Sequence, residues 1–130
     1  MASMTVVEIK AFVPARDFAL SKQFYRDLGF SIPWSSDDLA YLHAGDASFL
    51  LQQSSAPGHA ANFMMHLLVA DVDAWWAHVQ AQRLAERYGV RASPPEDRPW
   101  AIRDFILDDP SGVTWRIGQN IGGPNGSAAP

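Results

Sequence analysis

The sequence contains no cysteine. Disulfides, thiolate nucleophiles, cysteine-ligated zinc and iron–sulfur clusters are therefore excluded as sources of stability or chemistry. It also lacks any apolar run near the roughly 20 residues that span a bilayer, and the opening MASMTVVEIK has neither the basic start nor the apolar centre of a secretory signal. No stretch is strongly basic. Lys and Arg number 10 against 14 Asp and Glu, a formal net charge of −4, so nothing in the chain neutralises a row of phosphates. Nucleic acid and membrane are not expected as partners, and a soluble cytoplasmic protein is. The glycines near the C-terminus do not form a phosphate loop, because no helix follows them.

Apolar content is what the chain does have: 48% of its 130 residues are hydrophobic, enough for one domain with a sizeable core. Val6–Val13 reads as a strand with Glu8, Lys10 and Phe12 on one face and Val7, Ile9, Ala11 and Val13 on the other, closed by Pro14. Asp17 caps a helix whose apolar positions Leu20, Phe24, Tyr25 and Leu28 recur at helical spacing until Gly29 stops it. Short strands follow at Phe30–Trp34, Leu39–His43 and Ala47–Gln53, and a loop carries Pro57-Gly58. This order, β, α, β, β, β, then repeats. Asn62–Val69 is a strand, Asp71 caps a helix through Val72, Trp75, Trp76 and Val79 into the Arg83–Arg87 region, and Tyr88-Gly89-Val90 echoes Leu28-Gly29-Phe30. A short strand near Val90–Ala92 and a proline-rich connection at Pro94–Pro99 lead into a hairpin. Its apolar runs, Trp100–Leu107 and Val113–Ile117, flank Asp109-Pro110-Ser111-Gly112, where Pro pre-sets φ and Gly supplies a positive φ. Setting Asp17 over Asp71 gives an internal duplication, module one at about 5–54 and module two at about 61–119, within a single domain 1–121. Residues 122–130, rich in Gly, Pro, Asn, Ser and Ala, are expected to be a flexible tail.

The order and spacing of Ala15-Arg16-Asp17-Phe18, Phe24-Tyr25, Leu28-Gly29-Phe30, Leu68-Val69-Ala70-Asp71-Val72-Asp73 and Asp109-Pro110-Ser111-Gly112 with Trp115 resemble the glyoxalase/bleomycin-resistance/dioxygenase superfamily, also called vicinal oxygen chelate proteins. The resemblance implies an α+β fold in which two tandem βαβββ modules form a curled mixed sheet around a cavity, with helices outside. Metal-dependent members place His, Gln or Glu at four positions, and the positions that match are Lys10, Leu50, Met64 and Arg116. A protonated Lys has no lone pair, Arg does not deprotonate, Leu has no donor atom, and a thioether is a poor match for hard or borderline ions. No metal and no cofactor are expected, and the metal-dependent glyoxalase and dioxygenase mechanisms go with them. The pattern is most similar to the metal-free bleomycin-resistance proteins, which also carry a Pro-Trp like Pro99-Trp100 and bind a drug without transforming it. Their cleft is acidic and their drug cationic. Here Lys10 and Arg116 are basic, with Glu8, Glu96, Asp97 and Asp104 available to offset them.

His66 lies two residues beyond Met64 and so shares its face, but a single imidazole beside Lys10 and Arg116 does not build a cation site. His43 shares a face with Tyr41, whereas His59 and His78 read as loop and helix-surface residues. Trp34, Tyr41, Phe49, Trp100 and Trp115 fall on predicted strands, and rings such as Trp34 and Trp100 suit the stacking of a planar ligand that Lys10 and Arg116 orient. The expected ligand-binding set is Lys10, Phe12, Trp34, Tyr41, His43, Met64, His66, Trp100 and Arg116. The leading reading is a metal-free small-molecule binding protein, a homodimer, that sequesters an aromatic or amphipathic compound. One alternative is a metal-independent lyase or isomerase with His66 as general base and Lys10 or Arg116 stabilising an oxyanion. Another is an interaction domain whose cavity is filled by its own side chains.

Overall fold

A computed structural model of the chain describes residues 3–122, so the expected tail lies, apart from Gly122, outside the described residues. The elements are β1 (Phe12–Ala15), α1 (Phe18–Leu28), β2 (Ser31–Ser35), β3 (Leu39–Ala44), β4 (Ala47–Gln53), a 3₁₀ turn (Ala60–Asn62), β5 (Met64–Leu68), α2 (Val72–Ala81), α3 (Leu84–Tyr88), β6 (Ala92–Asp97), β7 (Ile102–Asp108) and β8 (Thr114–Asn120). The predicted α+β class with a repeated βαβββ order is present. Both helix starts are made by the expected aspartates, Asp17 accepting from Leu20 N–H and Asp71 from Ala74 N–H at 3.1 Å each. Gly29 ends α1 at φ +127°, a conformation that L side chains rarely adopt.

The strands form two four-stranded mixed sheets, ordered β1-β4-β3-β2 and β5-β8-β7-β6. In each, the outer strand of the module's start runs parallel to the module's last strand and the remaining pairs are antiparallel. The two sheets are not closed on each other: no strand of one hydrogen-bonds to a strand of the other among the described residues. What joins the modules is a common core on the helix-covered faces. Trp115 of β8 packs against Tyr25, Phe30 and Phe49 of module one at ring separations of 5.6, 5.8 and 5.3 Å. Tyr25 donates its hydroxyl proton to Asp109 at 2.6 Å and accepts Trp115 Nε1–H at 2.8 Å. The helices meet at Asp27, whose carboxylate takes Arg87 and the Tyr88 hydroxyl at 2.6 and 2.7 Å while its carbonyl accepts His78 Nε2–H at 2.8 Å.

Several expected features are placed differently. The strand predicted at Val6–Val13 is regular only from Phe12, and Val7 and Ile9 are exposed, because no neighbouring strand pairs the backbone before Ala11. Pro14 lies inside β1 without closing it, which an edge strand tolerates because one side of its ladder is unused. The second helix breaks at Arg83, where φ is +53°, and restarts as α3. The last edge strand is β6, running through Pro94-Pro95 with a register shift, where a connection was expected. Trp100 is in the turn before β7 and not on a strand. His78 is a helix-junction residue, half-buried against Asp27, and not a surface histidine.

Among the described residues the Tyr25 hydroxyl is the only side-chain donor to Asp109, so Tyr25→Phe leaves a buried carboxylate and a buried indole N–H each short of one partner. The expected cost is about 2 kcal/mol and a fall in Tm of about 5–10 °C. Tyr88→Phe, at a half-buried hydroxyl whose partner Asp27 keeps Arg87, should cost less than half of that in the same melts; equal losses would refute the ranking. Burial raises the Asp109 pKa above its ordinary value, opposed by the Tyr25 and backbone donors. Stability from this group is therefore full below the unfolded value of about 4 and is lost as pH rises through the higher folded value. The stability gap between wild type and Asp109→Asn should narrow from about pH 4 to pH 7 in denaturant titrations.

Candidate ligand-binding faces

Strand alternation gives each sheet one face in the common core and one face that helices do not cover. On the first sheet, Val13, Phe49 and Leu51 point inward, so their neighbours Phe12, Ser48 and Leu50 point out. Register then sets an outward row across four strands, Phe12, Leu50, Tyr41 and Trp34. Phe12 and Trp34 are each 51% exposed. His43 stacks on Tyr41 at 5.9 Å, and Lys10 lies 5.3 Å from the Tyr41 ring centre while it pairs with Glu8. Five of the expected site residues, Lys10, Phe12, Trp34, Tyr41 and His43, thus share one surface.

On the second sheet Met65, Leu67, Trp115 and Leu107 point inward, and His66, Arg116 and Ile106 form an outward row in register with Met64 and Thr114 one step away. Counting from the capping aspartates and the turn glycines puts Lys10, Leu50, Met64 and Arg116 at the family's four ligand positions, with His66 expected beside Lys10 and Arg116. Register sets His66 opposite Arg116 and Phe12 opposite Leu50. With either assignment the donor set does not fit the metal that catalytic relatives use, since His66 is its only group with a good lone pair. Among the described residues no group of three or more His, Cys, Asp or Glu stands close enough to hold a metal ion.

Asp104, one of the acids expected to offset Arg116, does so from a buried position on this face. Its carboxylate is only 3% exposed, and it accepts from Arg98 Nε at 2.8 Å and Arg116 Nη1 at 3.3 Å. Packing there is tight. A Cβ added at Gly118 would stand 3.0 Å from Ile102 Cγ2 and 3.1 Å from Asp104 Cβ. Four residues along the same strand, Asp108 takes Arg91 through two contacts of 3.0 Å and neutralises it locally. Trp100 stands beside the face on a strained turn. Ala101 is at φ +65°, held by its N–H to the Arg98 carbonyl and by its own carbonyl accepting from Ile121 N–H, and Trp100 is left 56% exposed. The sequence signal for Asp104 was available in outline: an acid at a position whose neighbours Phe105 and Leu107 are core, flanked by arginines at 98 and 116.

Within one chain, then, the expected site residues form two separate half-sites. Met64, His66 and Arg116, with Trp100 at the margin, occupy the second sheet; Lys10 occupies the first. The proposed combination of His66 with Lys10 is consequently not assembled inside a single sheet. Surface depressions near these faces are shallow, the largest being a groove of about 600 Å³ between the β3–β4 turn and the end of β5, lined by residues including His43, Asp46, Leu68 and Trp75.

The model of the Glyoxalase/Bleomycin resistance protein/Dioxygenase superfamily matches residues 6–117. The chain belongs to that superfamily. Its fold is similar to a bleomycin-binding protein solved in complex with bleomycin, at a TM-score of 0.75 and 24% identity over 88% of this chain and 99% of that one. It is similar as well to an antibiotic binding protein from Streptomyces sp. CB03234, at 0.71 and 23% over 91% and 99%. A lactoylglutathione lyase from Agrobacterium tumefaciens gives 0.68 and 16% over 90% and 96%. At these identities the likeness shows the fold. No curated protein sequence matches the chain, and no helix among the described residues is long and apolar enough to cross a membrane.

Because Asp104 holds two guanidiniums, Asp104→Asn replaces a shared acceptor by a group that serves one arginine and turns an amide donor toward the other. The expected loss is about 2–3 kcal/mol of stability in urea unfolding. A change under half a kcal/mol would mean that the arginines find other partners at no cost.

Proposed function

We propose that this member of the superfamily is a small-molecule binding protein, cytoplasmic and homodimeric, that sequesters an aromatic or amphipathic compound between the open sheet faces of two copies. The observation that carries the reading is the outward aromatic row. Phe12 and Trp34 on one face, and Trp100 beside the other, are half-exposed in a chain that buries Trp115, Tyr25, Phe24, Phe49 and Phe105 almost completely. Large rings grouped on an uncovered surface mark a binding surface and not a folding residue set. The bleomycin- and antibiotic-binding proteins of the same fold support a drug-like ligand.

The same geometry supports a two-fold arrangement. Each chain offers one first-sheet face and one second-sheet face; a two-fold axis that sets the first face of one copy against the second face of its partner does so twice, giving two equivalent cavities. Residues Met4, Val6, Val7 and Ile9, between 80% and 98% exposed, supply further apolar surface that a second copy would cover. The chemistry asked of the protein is stacking and desolvation, with no step that needs a base.

Light scattering should return twice 14.3 kDa at micromolar concentration. Saturable quenching of tryptophan emission by naphthalene derivatives is expected, and Trp34→Ala or Trp100→Ala should weaken it by about 1–3 kcal/mol, roughly tenfold to a hundredfold in Kd. A monomer, or dissociation constants untouched in both folded variants, would sink the composite-cavity reading.

A further inference from the structure

The electrostatics of the second sheet single out one class of ligand, a step that rests on reading this face as half of a binding cavity. Asp104 carries one negative charge and is buried; Arg98 and Arg116, with side chains 19% and 31% exposed, carry two positive charges against it. Glu96 approaches Arg98 only to 3.7 Å and is 64% exposed, so water screens most of what it contributes. Asp108 is committed to Arg91, and Asp97 and Asp73 to Arg103. The nearest cation on the other face, Lys10, is paired with Glu8. Arg98 has Glu96 as well as Asp104, and Arg103 has both Asp97 and Asp73, so among the described residues Arg116 is the arginine of this sheet whose one acid is shared with another cation.

Arg116 makes a single contact of 3.3 Å to Asp104 through Nη1, and among the described residues no second acceptor holds the rest of its fork. That leaves guanidinium donors available on the outward row between His66 and Ile106. An arginine positioned by a buried acid, with donors to spare and an apolar neighbour on one side, suits a planar oxyanion bound side-on, which a fork of parallel N–H groups grips better than a point charge does. We propose that the second sheet binds the anionic group of an aromatic ligand, a carboxylate or sulfonate, with Arg116 as its direct partner and Asp104 as the residue that positions Arg116. The ring of such a ligand would then lie toward Trp100 and the aromatic row of the facing sheet. This is the opposite charge preference to a cleft built for a polycationic drug.

Three isosteric probes test it: 2-naphthoate, 2-naphthamide and 2-naphthylmethylammonium, titrated against the intact protein by calorimetry and tryptophan quenching. Naphthoate is expected to bind about tenfold more tightly than the amide, and the ammonium more weakly than either. Arg116→Gln should abolish the preference for naphthoate over the amide. Arg116→Lys, which keeps the charge but loses the fork, should restore it only in part, and both variants are checked by thermal melts. Saturable binding of all three probes with equal affinity, tightest binding of the ammonium, or an Arg116→Gln variant that keeps the naphthoate preference overturns the charge assignment alone. No saturable binding of any probe to the wild-type dimer overturns the binding function and this assignment with it.

Discussion

The chain from Asp109 through Tyr25 to Trp115 is the constraint from which the rest of the structure follows. Asp109 Oδ1 accepts the backbone N–H of Ser111 and of Val113 at 2.9 Å, which shapes the turn between β7 and β8. Its other oxygen takes the Tyr25 hydroxyl of α1, and that hydroxyl takes the Trp115 indole N–H of β8. All three side chains are at most 1% exposed. A carboxylate that deep is tolerated only when its lone pairs are filled, and filling them requires the hairpin of one module to sit on the helix of the other. The motif that is a turn signal in the sequence is therefore also the bolt between the halves.

With that bolt in place the helix-covered faces of both sheets are consumed in one core, and the opposite faces are left to solvent. Aromatic residues divide accordingly. Phe49 and Trp115 fall on inward positions of β4 and β8 and join Tyr25 and Phe30, while Tyr41 and Trp34 fall on outward positions of β3 and β2. A single sheet face of four strands cannot enclose a drug-sized molecule, since such ligands bury most of their surface. In the proposed assembly the second copy would supply the concavity, by setting one open sheet face against another. The charge on them is set by the same burial logic, because an acid held at 3% exposure fixes its arginines where a surface pair would leave them mobile.

Much of this was legible from the residues alone. The capping aspartates, the Gly29 stop, the Asp109–Gly112 turn and the doubled element order rest on local chemistry, and local chemistry is what a sequence states directly. The outward direction of Phe12, Tyr41 and Arg116 followed from alternation. Register was legible only in part, because it depends on which strand is the neighbour: His66 was expected beside both Lys10 and Arg116, and the ladder sets it opposite Arg116 while Lys10 lies by Tyr41 of the first sheet. Asp104 was legible as an acid able to offset Arg116, but its burial was not, because the arginines that meet it are brought in from residue 98 and from the next strand at 116. Trp100 was misplaced onto a strand since nothing in Pro99-Trp100-Ala101 announces a left-handed alanine.

Sheet edges carry the last piece of the logic. Four strands have an unpaired side, β1 and β2 in the first sheet and β5 and β6 in the second. Pro14 lies in β1, Pro33 in β2, and Pro94 and Pro95 in β6; each removes a donor from its strand and spoils it as a template for another chain. The exception is β5, Met64–Leu68, which has no proline and no Lys, Arg, Asp or Glu, and which shows Met64 and Leu68 more than half exposed. Edges that meet only water gain by being blunted, and the edge left intact among three blunted ones is the one that could still pair with a further strand. The sequence of the protein also holds a segment of matching character: Val6, Val7 and Ile9 precede β1 with their side chains in solvent and, until Ala11, no strand beside them. Strand-forming residues without a strand partner, and a strand edge without a proline, are complementary deficits. In the proposed two-fold assembly a second copy would supply both at once, so that one arrangement would close the proposed cavity and cover the exposed apolar arm.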